Sequence, residues 1–367
     1  MSHKRKVLVI FGGKSSEHEI SRISAASVIK NIDTEKFEVA MLGITKEGKW
    51  LPYNGDVEMI PTGQWEELSL KSRVQVLGEK DNLINYLSDC KTNFSGIDNI
   101  DVVFPVLHGC NGEDGTIQGF FELASIPYVG CGVLGSALCM DKVYTKMVFE
   151  KIGIPQARHL HFTRKEIERD ISQISDKIEA EFDYPVFVKP SNAGSSVGVS
   201  KASNKNELFR ALNYASRYDK KVMVEEFING REVECAVLGN DEPIASIVGE
   251  IVPSNDFYDY KAKYIDNKSK MIIPADLPKD TVEKVRDYAV KAFKALDCSG
   301  LSRVDFFVDK ETDAVFINEI NTMPGFTSIS MYPALWEASG ISYGELIERL
   351  IDLAVERYED NKKQIND

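Results

Sequence analysis

Four side chains near the C-terminal end of the sequence have the residue types of a divalent-metal site. Arg303 and Asp305 begin one apolar segment, and Glu319 and Asn321 end another, with a polar turn between the two. This pattern predicts a β-hairpin. Residues two apart on a strand share a face, so pairing of the hairpin would bring Asp305 to Glu319 and Asn321. Such oxygen donors suit Mg²⁺ beside phosphates, although an ordinary hairpin with polar ends gives the same pattern.

A loop of small residues in the middle of the chain is a candidate phosphate-binding segment. Ser195 and Ser196 lie in this loop, which follows a predicted strand carrying Lys189. Small residues let backbone N–H groups approach phosphate oxygens. The loop lacks the Gly-Lys-Ser/Thr ending of a P-loop, and by itself it also fits a simple hairpin turn. The lysine on the preceding strand favours phosphate binding.

The predicted strand over residues 222–228 ends in carboxylates that could bind a nucleoside. Glu225 could accept a hydrogen bond from the amino group of adenine, and Glu232 could accept from ribose hydroxyls. The alternative is a pair of surface glutamates on an edge strand. For Glu226 that alternative is the better interpretation of the sequence.

Residues 255–268 form a polar, tyrosine-rich segment without a core pattern. We predict that this segment is a lid, which excludes water and carries Lys263 onto phosphate. The alternation of Tyr258, Tyr260 and Tyr264 also fits a half-buried edge strand.

Two further candidates follow predicted strands in the N-terminal part of the chain. Glu17 comes just after the first strand, where open α/β sheets bind ligands, and could hold a substrate ammonium. Ser16 and Glu19 fit a capping box at the start of the next helix. His108 follows the third predicted strand, and both a structural and a functional role stay open for it.

Composition excludes several classes of function. The chain has 367 residues, of which 43% are hydrophobic and 28% charged, as expected for a soluble protein of two or three domains. A net charge of −13 without a long basic stretch argues against nucleic-acid binding. No apolar run reaches the roughly 18 residues of a membrane span, and the first apolar run is too short for a signal peptide. The cysteines have no zinc-like spacing, so we expect buried reduced thiols and a cytoplasmic location.

The hydrophobic pattern changes near residue 141. Before it, strands alternate with helices, which predicts a parallel sheet covered by helices. These strands are predicted at residues 7–11, 37–44, 101–106 and 126–129, and the helices after Ser16, Asp114 and Gly135. Residues 51–99 are polar and resemble an irregular insertion. After residue 141, helices and antiparallel strands mix, which predicts an α+β arrangement.

Together these motifs resemble the ATP-grasp superfamily, and within it the D-alanine–D-alanine ligases and their vancomycin-resistance relatives. The resemblance covers nearly the whole chain. It rests on Leu107-His108-Gly109 with Gly112-Glu113-Asp114-Gly115, Met140-Asp141-Lys142, Phe187-Val188-Lys189-Pro190, Gly194-Ser195-Ser196 and residues 318–327. Cys110 and Asn111 depart from the family pattern, outside the expected chemistry.

The resemblance implies an α/β N-terminal domain with a parallel sheet over residues 1–140, followed by an α+β ATP-grasp fold. The ATP-grasp part would consist of a central subdomain over residues 141–240 and a C-terminal subdomain over residues 241–367, which clasp ATP. The C-terminal subdomain would carry the metal site and the lid. A homodimer is also implied, with no nucleic-acid or membrane partner.

The resemblance further implies which residues act. ATP would be bound by Lys142, Lys189, Ser195, Ser196, Glu225, Glu226, Ile228, Glu232 and Lys263. Two Mg²⁺ or Mn²⁺ ions would be bound by Asp305, Glu319 and Asn321. Substrates would be bound by Glu17, His108, Arg303, Gly325 and Ser330. Catalysis would depend on Glu17, Ser195, Tyr264, Arg303 and Gly325.

In these roles Glu17 would hold the ammonium of the first D-alanine, and Ser330 the carboxylate of the second substrate. Arg303 and the Gly325 N–H would form an oxyanion hole. Ser195 and Tyr264 would link the lid to Glu17.

The implied activity is ATP-dependent joining of two D-alanines through an acyl phosphate, for peptidoglycan precursors. A ligase that uses D-lactate or D-serine as its second substrate is the alternative, although Tyr264 after Lys263 favours D-alanine. A catalytically silent nucleotide or amino-acid sensor is a third possibility. Such a protein should have lost metal ligands or phosphate-binding lysines, and the sequence contains all of them.

Overall fold

The structure is a computed structural model, which describes residues 4–73, 100–252 and 270–363. Its strands are β1 (Arg5–Gly12), β2 (Phe37–Ile44), β3 (Trp50–Tyr53), β4 (Val102–Val106), β5 (His159–Thr163), β6 (Val186–Pro190), β7 (Ser200–Ala202), β8 (Lys221–Glu226), β9 (Gly230–Gly239), β10 (Ile244–Val252), β11 (Lys270–Ile272), β12 (Gly300–Asp309) and β13 (Val315–Asn321). Its helices are α1 (His18–Asn31), α2 (Met59–Thr62), α3 (Gln64–Arg73), α4 (Thr116–Ala124), α5 (Val133–Met140), α6 (Lys142–Lys151), α7 (Arg164–Arg169), α8 (Ile171–Glu181), α9 (Lys205–Ala215), α10 (Lys279–Ala295), α11 (Met331–Ala338) and α12 (Tyr343–Lys363). The predicted lid, with Lys263 and Tyr264, lies outside the described residues.

The first sheet has the strand order β3-β2-β1-β4. Strand β1 pairs in parallel with both β2 and β4, as predicted, and β3 adds an antiparallel edge. Residues 7–11 of β1 are fully buried, because α1 and α12 pack on one face of the sheet and α4 on the other. A strand covered on both faces is apolar at successive positions, which explains this run.

Three local predictions in this part are wrong. Residues 51–73 are not irregular, because β3, α2 and α3 form around the buried Trp65, whose ring lies 4.9 Å from that of Phe11. Residues 126–129 make only a β-bridge to Val103 and no regular strand. The helix expected after Gly135 begins at Val133, so this glycine lies inside it.

The middle sheet has the order β5-β8-β6-β7 and is antiparallel throughout. Val186 and Val188 of β6 point into a core formed with α7, α8 and α9. Phe187 and Lys189 alternate with them and therefore face the opposite side.

The third sheet is antiparallel, with the order β11-β10-β9-β12-β13. Helix α10 covers one face with Val285, Ala289 and Phe293. The two antiparallel sheets confirm the predicted α+β arrangement after residue 141. The predicted central subdomain, residues 141–240, includes strand β9, but the structure places β9 in this third sheet. The predicted domain ranges themselves stay a prediction.

Burial of the thiols follows the prediction at four cysteines and fails at one. Cys131, Cys139, Cys235 and Cys298 are buried, whereas Cys110 is exposed. Cys90 lies outside the described residues. In the same described ranges, no helix is both long and apolar enough to cross a membrane.

Helix α5 packs closely against the turn before β12, and the contact leaves no room for a side chain at Gly135 of the helix. A Cβ added to Gly135 would lie 2.5 Å from the carbonyl oxygen of Asp297. A Cβ on Gly300 would lie 3.5 Å from the backbone nitrogen of Gly130. The backbone of the N-terminal part is thus in direct contact with the segment that leads into β12.

We expect Gly135→Ala to lower the free energy of unfolding by about 1–3 kcal/mol, because the Asp297 carbonyl must move. This loss should appear even though alanine favours a helix interior by roughly 0.5–1 kcal/mol over glycine. Gly119→Ala in α4 is the matched control, since its Cβ would meet only Val133 Cγ2 at 4.0 Å. Urea unfolding of both variants checks this, and equal stability of the two would contradict the close packing.

Candidate active site

A cavity of about 500 Å³ lies between the middle and third sheets. Its walls contain every predicted ATP-binding residue within the described ranges: Lys142, Lys189, Ser195, Ser196, Glu225, Glu226, Ile228 and Glu232. Two predicted metal ligands, Glu319 and Asn321, line it as well. The fold therefore gathers side chains from widely separated parts of the sequence around one space.

A buried cluster of one carboxylate and two ammonium groups includes two residues of the cavity wall, Glu225 and Lys189. Lys146 Nζ lies 2.7 Å from Glu225 Oε1, and the ammonium of Lys189 pairs with the other oxygen of Glu225. Burial disfavours the charged carboxylate, but the two lysines outweigh burial and lower the pKa of Glu225 to about 2. Glu225 is therefore ionised at neutral pH and fixed in place. Glu226 instead binds Arg158, with its carboxylate 2.8 Å from Arg158 Nε.

Three carboxylates lie in one row across the third sheet. In the strand register, Glu234 of β9 is opposite Asp305 of β12, and Asp305 is opposite Glu319 of β13. This pairing confirms that the predicted hairpin brings Asp305 to Glu319. Asn321 also joins them, because its amide nitrogen donates to Asp305 over 3.0 Å.

Arg303 is held between two members of this row. Its Nε and Nη2 donate to the two oxygens of Asp305 over 2.7 and 2.8 Å, and Nε lies 3.0 Å from Glu234 Oε2. Burial disfavours the charged guanidinium, but the carboxylates outweigh burial and raise the pKa of Arg303. Arg303 is thus a permanent cation with a fixed position.

The lysine at the start of α6 connects the two halves of the site. Lys142 Nζ lies 3.4 Å from Glu319 Oε2 and donates to the carbonyl of Ala193 over 2.9 Å. Lys189 also crosses the cavity, since its Nζ lies 3.5 Å from Asn318 Oδ1. Cations carried by α6 and the middle sheet therefore meet the acidic row of the third sheet.

The chemistry of the acidic row fits a hard divalent cation. Within the described ranges, no three His, Cys, Asp or Glu side chains form a metal-binding group by themselves. A site here would therefore combine Asp305 and Glu319 with the amide oxygen of Asn321. Carboxylate and amide oxygens are the donor types that Mg²⁺ accepts in proteins.

Glu17 lies beneath the small-residue loop. The hydroxyl of Ser195 donates to Glu17, and a Cβ on Gly194 would lie only 2.7 Å from Glu17 Oε2. Ser195 and Ser196 have φ angles of 48° and 57°, in the left-handed region that costs on the order of 1–3 kcal/mol. The contact with Glu17 helps to hold the loop in this conformation.

The predicted capping box at the start of α1 is wrong. Glu17 occupies the N-cap position, and its side chain makes no capping hydrogen bond. Glu19 instead pairs with Lys46, which lies in the loop after β2. Ser15 Oγ accepts the Glu17 N–H over 3.1 Å and orders the turn before the helix.

His108 belongs to a buried hydrogen-bond chain with a fixed direction. Its Nδ1 lies 2.9 Å from the carbonyl oxygen of Met323, which can only accept, so Nδ1 carries the hydrogen. Nε2, 3.2 Å from Ser24 Oγ, then accepts from that hydroxyl. Ser24 Oγ in turn accepts the N–H of Phe326 over 3.2 Å. Both ring nitrogens of His108 are therefore used to hold the loop that carries Gly325.

Gly325 and Ser330 lie side by side in that loop region. A Cβ on Gly325 would lie 2.8 Å from Ser330 Oγ. Ser330 Oγ also accepts the Thr327 N–H over 3.0 Å. The hydroxyl groups of Thr327 and Ser330 also lie 2.8 Å apart, so the Ser330 side chain is held beside Gly325 by the Thr327 backbone and side chain.

Glu113 connects the two loops that flank Glu17. Its carboxyl oxygens accept the N–H groups of Gly109 over 2.6 Å and of Met323 over 3.2 Å. Burial and the nearby charge of Glu17 raise the pKa of Glu113 to about 8. Glu113 is therefore protonated at neutral pH.

Sequence reasoning missed Lys146, Glu234, Glu113 and Ser24 as site residues. Lys146 is four residues after Lys142 and so shares its helix face, which is a usable signal. Glu234 is two residues after Glu232 on β9, although its pairing with Arg303 needs the strand register. The sequence showed the Gly-rich segment around Glu113 as a motif. The contacts of the Glu113 side chain can be seen only in the fold.

Comparison with known proteins identifies the family. The model of the D-ala D-ala ligase N-terminus matches residues 6–131, and the model of the D-ala D-ala ligase C-terminus matches residues 148–352. This chain belongs to the D-alanine–D-alanine ligase family. The matched ranges of the ligase family models include both the acidic row and the Lys189 strand.

Individual relatives agree with this assignment. The D-alanine–D-alanine ligase of Acetivibrio thermocellus is 68% identical, with 100% of each chain covered. The enzyme of the same name from Ruminiclostridium cellulolyticum is 61% identical over 98% of each chain. Among solved structures, the D-alanine-D-alanine ligase from Coxiella burnetii has a TM-score of 0.82 and 35% identity, covering 99% of this chain and 98% of its own. The predicted ATP-grasp fold is confirmed.

The chain is also similar to a solved structure whose name gives D-serine as the second substrate. The VanG D-Ala:D-Ser ligase from Enterococcus faecalis has a TM-score of 0.82 and 42% identity. The match covers 96% of this chain and all of that one. The fold alone therefore does not separate D-alanine ligases from D-serine ligases.

The raised pKa of Glu113 predicts a specific pH dependence of stability. The folded state keeps this proton up to about pH 8, whereas an unfolded glutamate loses it near pH 4.5. The stabilisation is therefore complete below the unfolded pKa and is lost as pH rises toward the folded one. Relative to Glu113→Gln, the ligand-free wild type should lose up to about 1.4 kcal/mol per pH unit in this window.

Urea unfolding of both proteins at several pH values measures this difference. Glu17→Gln is the informative second variant, because removal of its charge should move the window to lower pH. A constant difference between wild type and Glu113→Gln across the window would contradict the assignment.

Proposed function

We propose that this chain joins two molecules of D-alanine to D-alanyl-D-alanine in an ATP-dependent reaction that supplies peptidoglycan precursors. The observation that carries the proposal is the cavity in which Lys142 and Lys189 lie close to Glu319, which the strand register places opposite Asp305. Membership of the ligase family and full-length relatives named D-alanine–D-alanine ligase support it.

The reaction explains why so many charges converge. A carboxylate does not form an amide directly, because it is anionic and its oxygen is a poor leaving group. Transfer of the γ-phosphoryl group of ATP to one D-alanine carboxylate gives an acyl phosphate. The amine of the second D-alanine then attacks the carbonyl carbon, and the tetrahedral oxyanion collapses with loss of phosphate.

Charge neutralisation is the main task of the protein in the first step. Lys142 and Lys189 would contact ATP phosphates, with Lys263 from the lid, and the backbone of Ser195 and Ser196 would cover them. Fixed cations of this kind provide most of the catalysis in phosphoryl transfer, because they need little reorganisation. Glu225, Glu226, Ile228 and Glu232 would line the adenosine side of the cavity.

The ligase family uses ATP and divalent metal ions, and here we propose Mg²⁺, with Mn²⁺ as a substitute. Asp305, Glu319 and Asn321 would hold the ions. The metal would polarise the phosphoryl oxygens and neutralise part of their charge.

The amino-acid side of the site would use the residues next to the cavity. Glu17 would hold the ammonium of the first D-alanine, and the link from Ser195 and Tyr264 would couple it to the lid. Arg303 and the Gly325 N–H would stabilise the oxyanion. Ser330 would hold the carboxylate of the second D-alanine.

D-Serine or D-lactate as second substrate is the alternative. The likeness to the VanG D-Ala:D-Ser ligase at 42% identity supports considering D-serine. The relatives at 68% and 61% identity are named D-alanine–D-alanine ligase, and Tyr264 points the same way. We therefore favour D-alanine.

We also propose a homodimer. Exposed apolar side chains on α4 and α5 support it, since Leu123 is 90% exposed and Leu134 57% exposed. Large apolar side chains that are exposed in a single chain can be covered in an interface between two copies. The cytoplasmic location stays a prediction.

The test is ADP release by the purified chain with ATP and Mg²⁺, with each product identified by mass. D-Alanine alone should support turnover and give D-alanyl-D-alanine. Added D-serine or D-lactate should yield little mixed product. Absence of the dipeptide while nucleotide is available would refute the proposal, and a dominant mixed product would establish the alternative.

The same assay tests the role of Arg303. Arg303→Ala should turn over at least about 10²-fold more slowly, as expected for loss of an oxyanion donor. Arg349→Ala is the control, because Arg349 is exposed on α12 and pairs with Glu345 one turn earlier on the same helix. Near-native turnover of Arg303→Ala would contradict a role of Arg303 in the oxyanion hole.

A further inference from the structure

Three buried cysteines meet where α5 approaches the turn before β12. Cys139 Sγ, near the end of α5, lies 3.5 Å from Cys298 Sγ in that turn. Cys131 Sγ is engaged by backbone groups, since it accepts the Ser299 N–H over 3.4 Å and lies 3.6 Å from the carbonyl oxygen of Leu301. The thiol of Cys298 also interacts with that of Cys131, so the three thiols form one cluster. Within this cluster, the sulfur atoms of Cys139 and Cys298 are 3.5 Å apart.

The pair can be reached from the cavity. Cys139 lines the cavity between the middle and third sheets, beside Met140 and Lys142. Cys298 is not among the residues that line this cavity, so a small reagent in the cavity would reach Cys139 before Cys298. Cys235 provides a contrast, because it is completely buried in the core of the third sheet beside Ser246.

We propose that Cys139 and Cys298 are a site of oxidation by a small hydroperoxide, which links them in a disulfide and lowers the activity of the enzyme. The thiolate of Cys139 attacks one oxygen of hydrogen peroxide, which gives a sulfenic acid and hydroxide. The thiol of Cys298 then attacks this sulfur, and water leaves. In total, two thiols and one peroxide give one disulfide and two water molecules.

The packing around the pair explains why the bond would affect the site. Forming the bond shortens the sulfur separation from 3.5 Å to about 2.05 Å. The contact between Gly135 and Asp297 leaves little room for α5 to adjust. The movement therefore reaches the segment that begins at Lys142, and an error of about 1 Å in a catalytic group can cost on the order of 10²-fold in rate.

The groups around Cys139 make the reaction slow at neutral pH. Burial raises the pKa of the Cys139 thiol, and the thiols of Cys298 and Cys131 and the carboxyl of Glu113 are its titratable neighbours. Because the thiolate is the nucleophile, oxidation should accelerate as pH rises.

The experiment treats the full ligand-free chain with hydrogen peroxide at mildly alkaline pH. Intact mass should fall by two hydrogen atoms, and peptide mapping should join Cys139 to Cys298. The activity of the oxidised protein should fall at least about tenfold and return with dithiothreitol. Cys298→Ser should not form the bond, whereas Cys235→Ser, the buried control, should form it as the wild type does.

Protection by nucleotide is the second part of the experiment. Only this part depends on the proposed function. ATP with Mg²⁺ should slow formation of the disulfide, because bound nucleotide would cover Cys139. Mass and peptide mapping need no activity, so failure of ligation and failure of the disulfide are distinguishable. A disulfide to Cys131, no mass loss, or full activity of the cross-linked protein would each overturn the inference.

Discussion

The buried pairing of Glu225 with Lys146 and Lys189 is the interaction on which the rest of the site depends. An unpaired charge in this position would cost several kcal/mol, so the three groups must stay together. Their pairing fixes strand β6 against β8 and α6, and it directs Lys189 toward Asn318 of the third sheet. The same requirement for charge balance shapes the opposite wall, where Arg303 lies between Asp305 and Glu234.

These pairs also prepare the cavity for a highly charged reactant. Lys142 already reaches Glu319 across the cavity, so an ion pair joins the two walls. A phosphate could interact with the same lysine, and a metal ion with the same carboxylate. Cations and dipoles that are fixed before the substrate arrives need little reorganisation during the reaction. The hydrogen-bond chain from Ser24 through His108 to Met323 fixes the loop of Gly325 in the same way.

The sequence predicted the acidic hairpin and the Lys189 strand because both depend on local rules. Alternation with a period of two and a polar turn determine which side chains share a face, and the register of Asp305 with Glu319 agrees. What it missed depends on distant partners. Glu19 leaves the capping box because Lys46 attracts it, and residues 51–73 become ordered because Trp65 is buried against Phe11. Glu234 acquires its role only from pairing across strands.

The central claim is that these converging charges activate a carboxylate by phosphorylation. The most direct measurement follows the carboxylate oxygens of D-alanine labelled with the heavy oxygen isotope during turnover. The account predicts that one labelled oxygen leaves in inorganic phosphate, while the other stays in the new peptide bond. Inorganic phosphate without label, at normal dipeptide yield, would contradict an acyl phosphate and with it the explanation of the site.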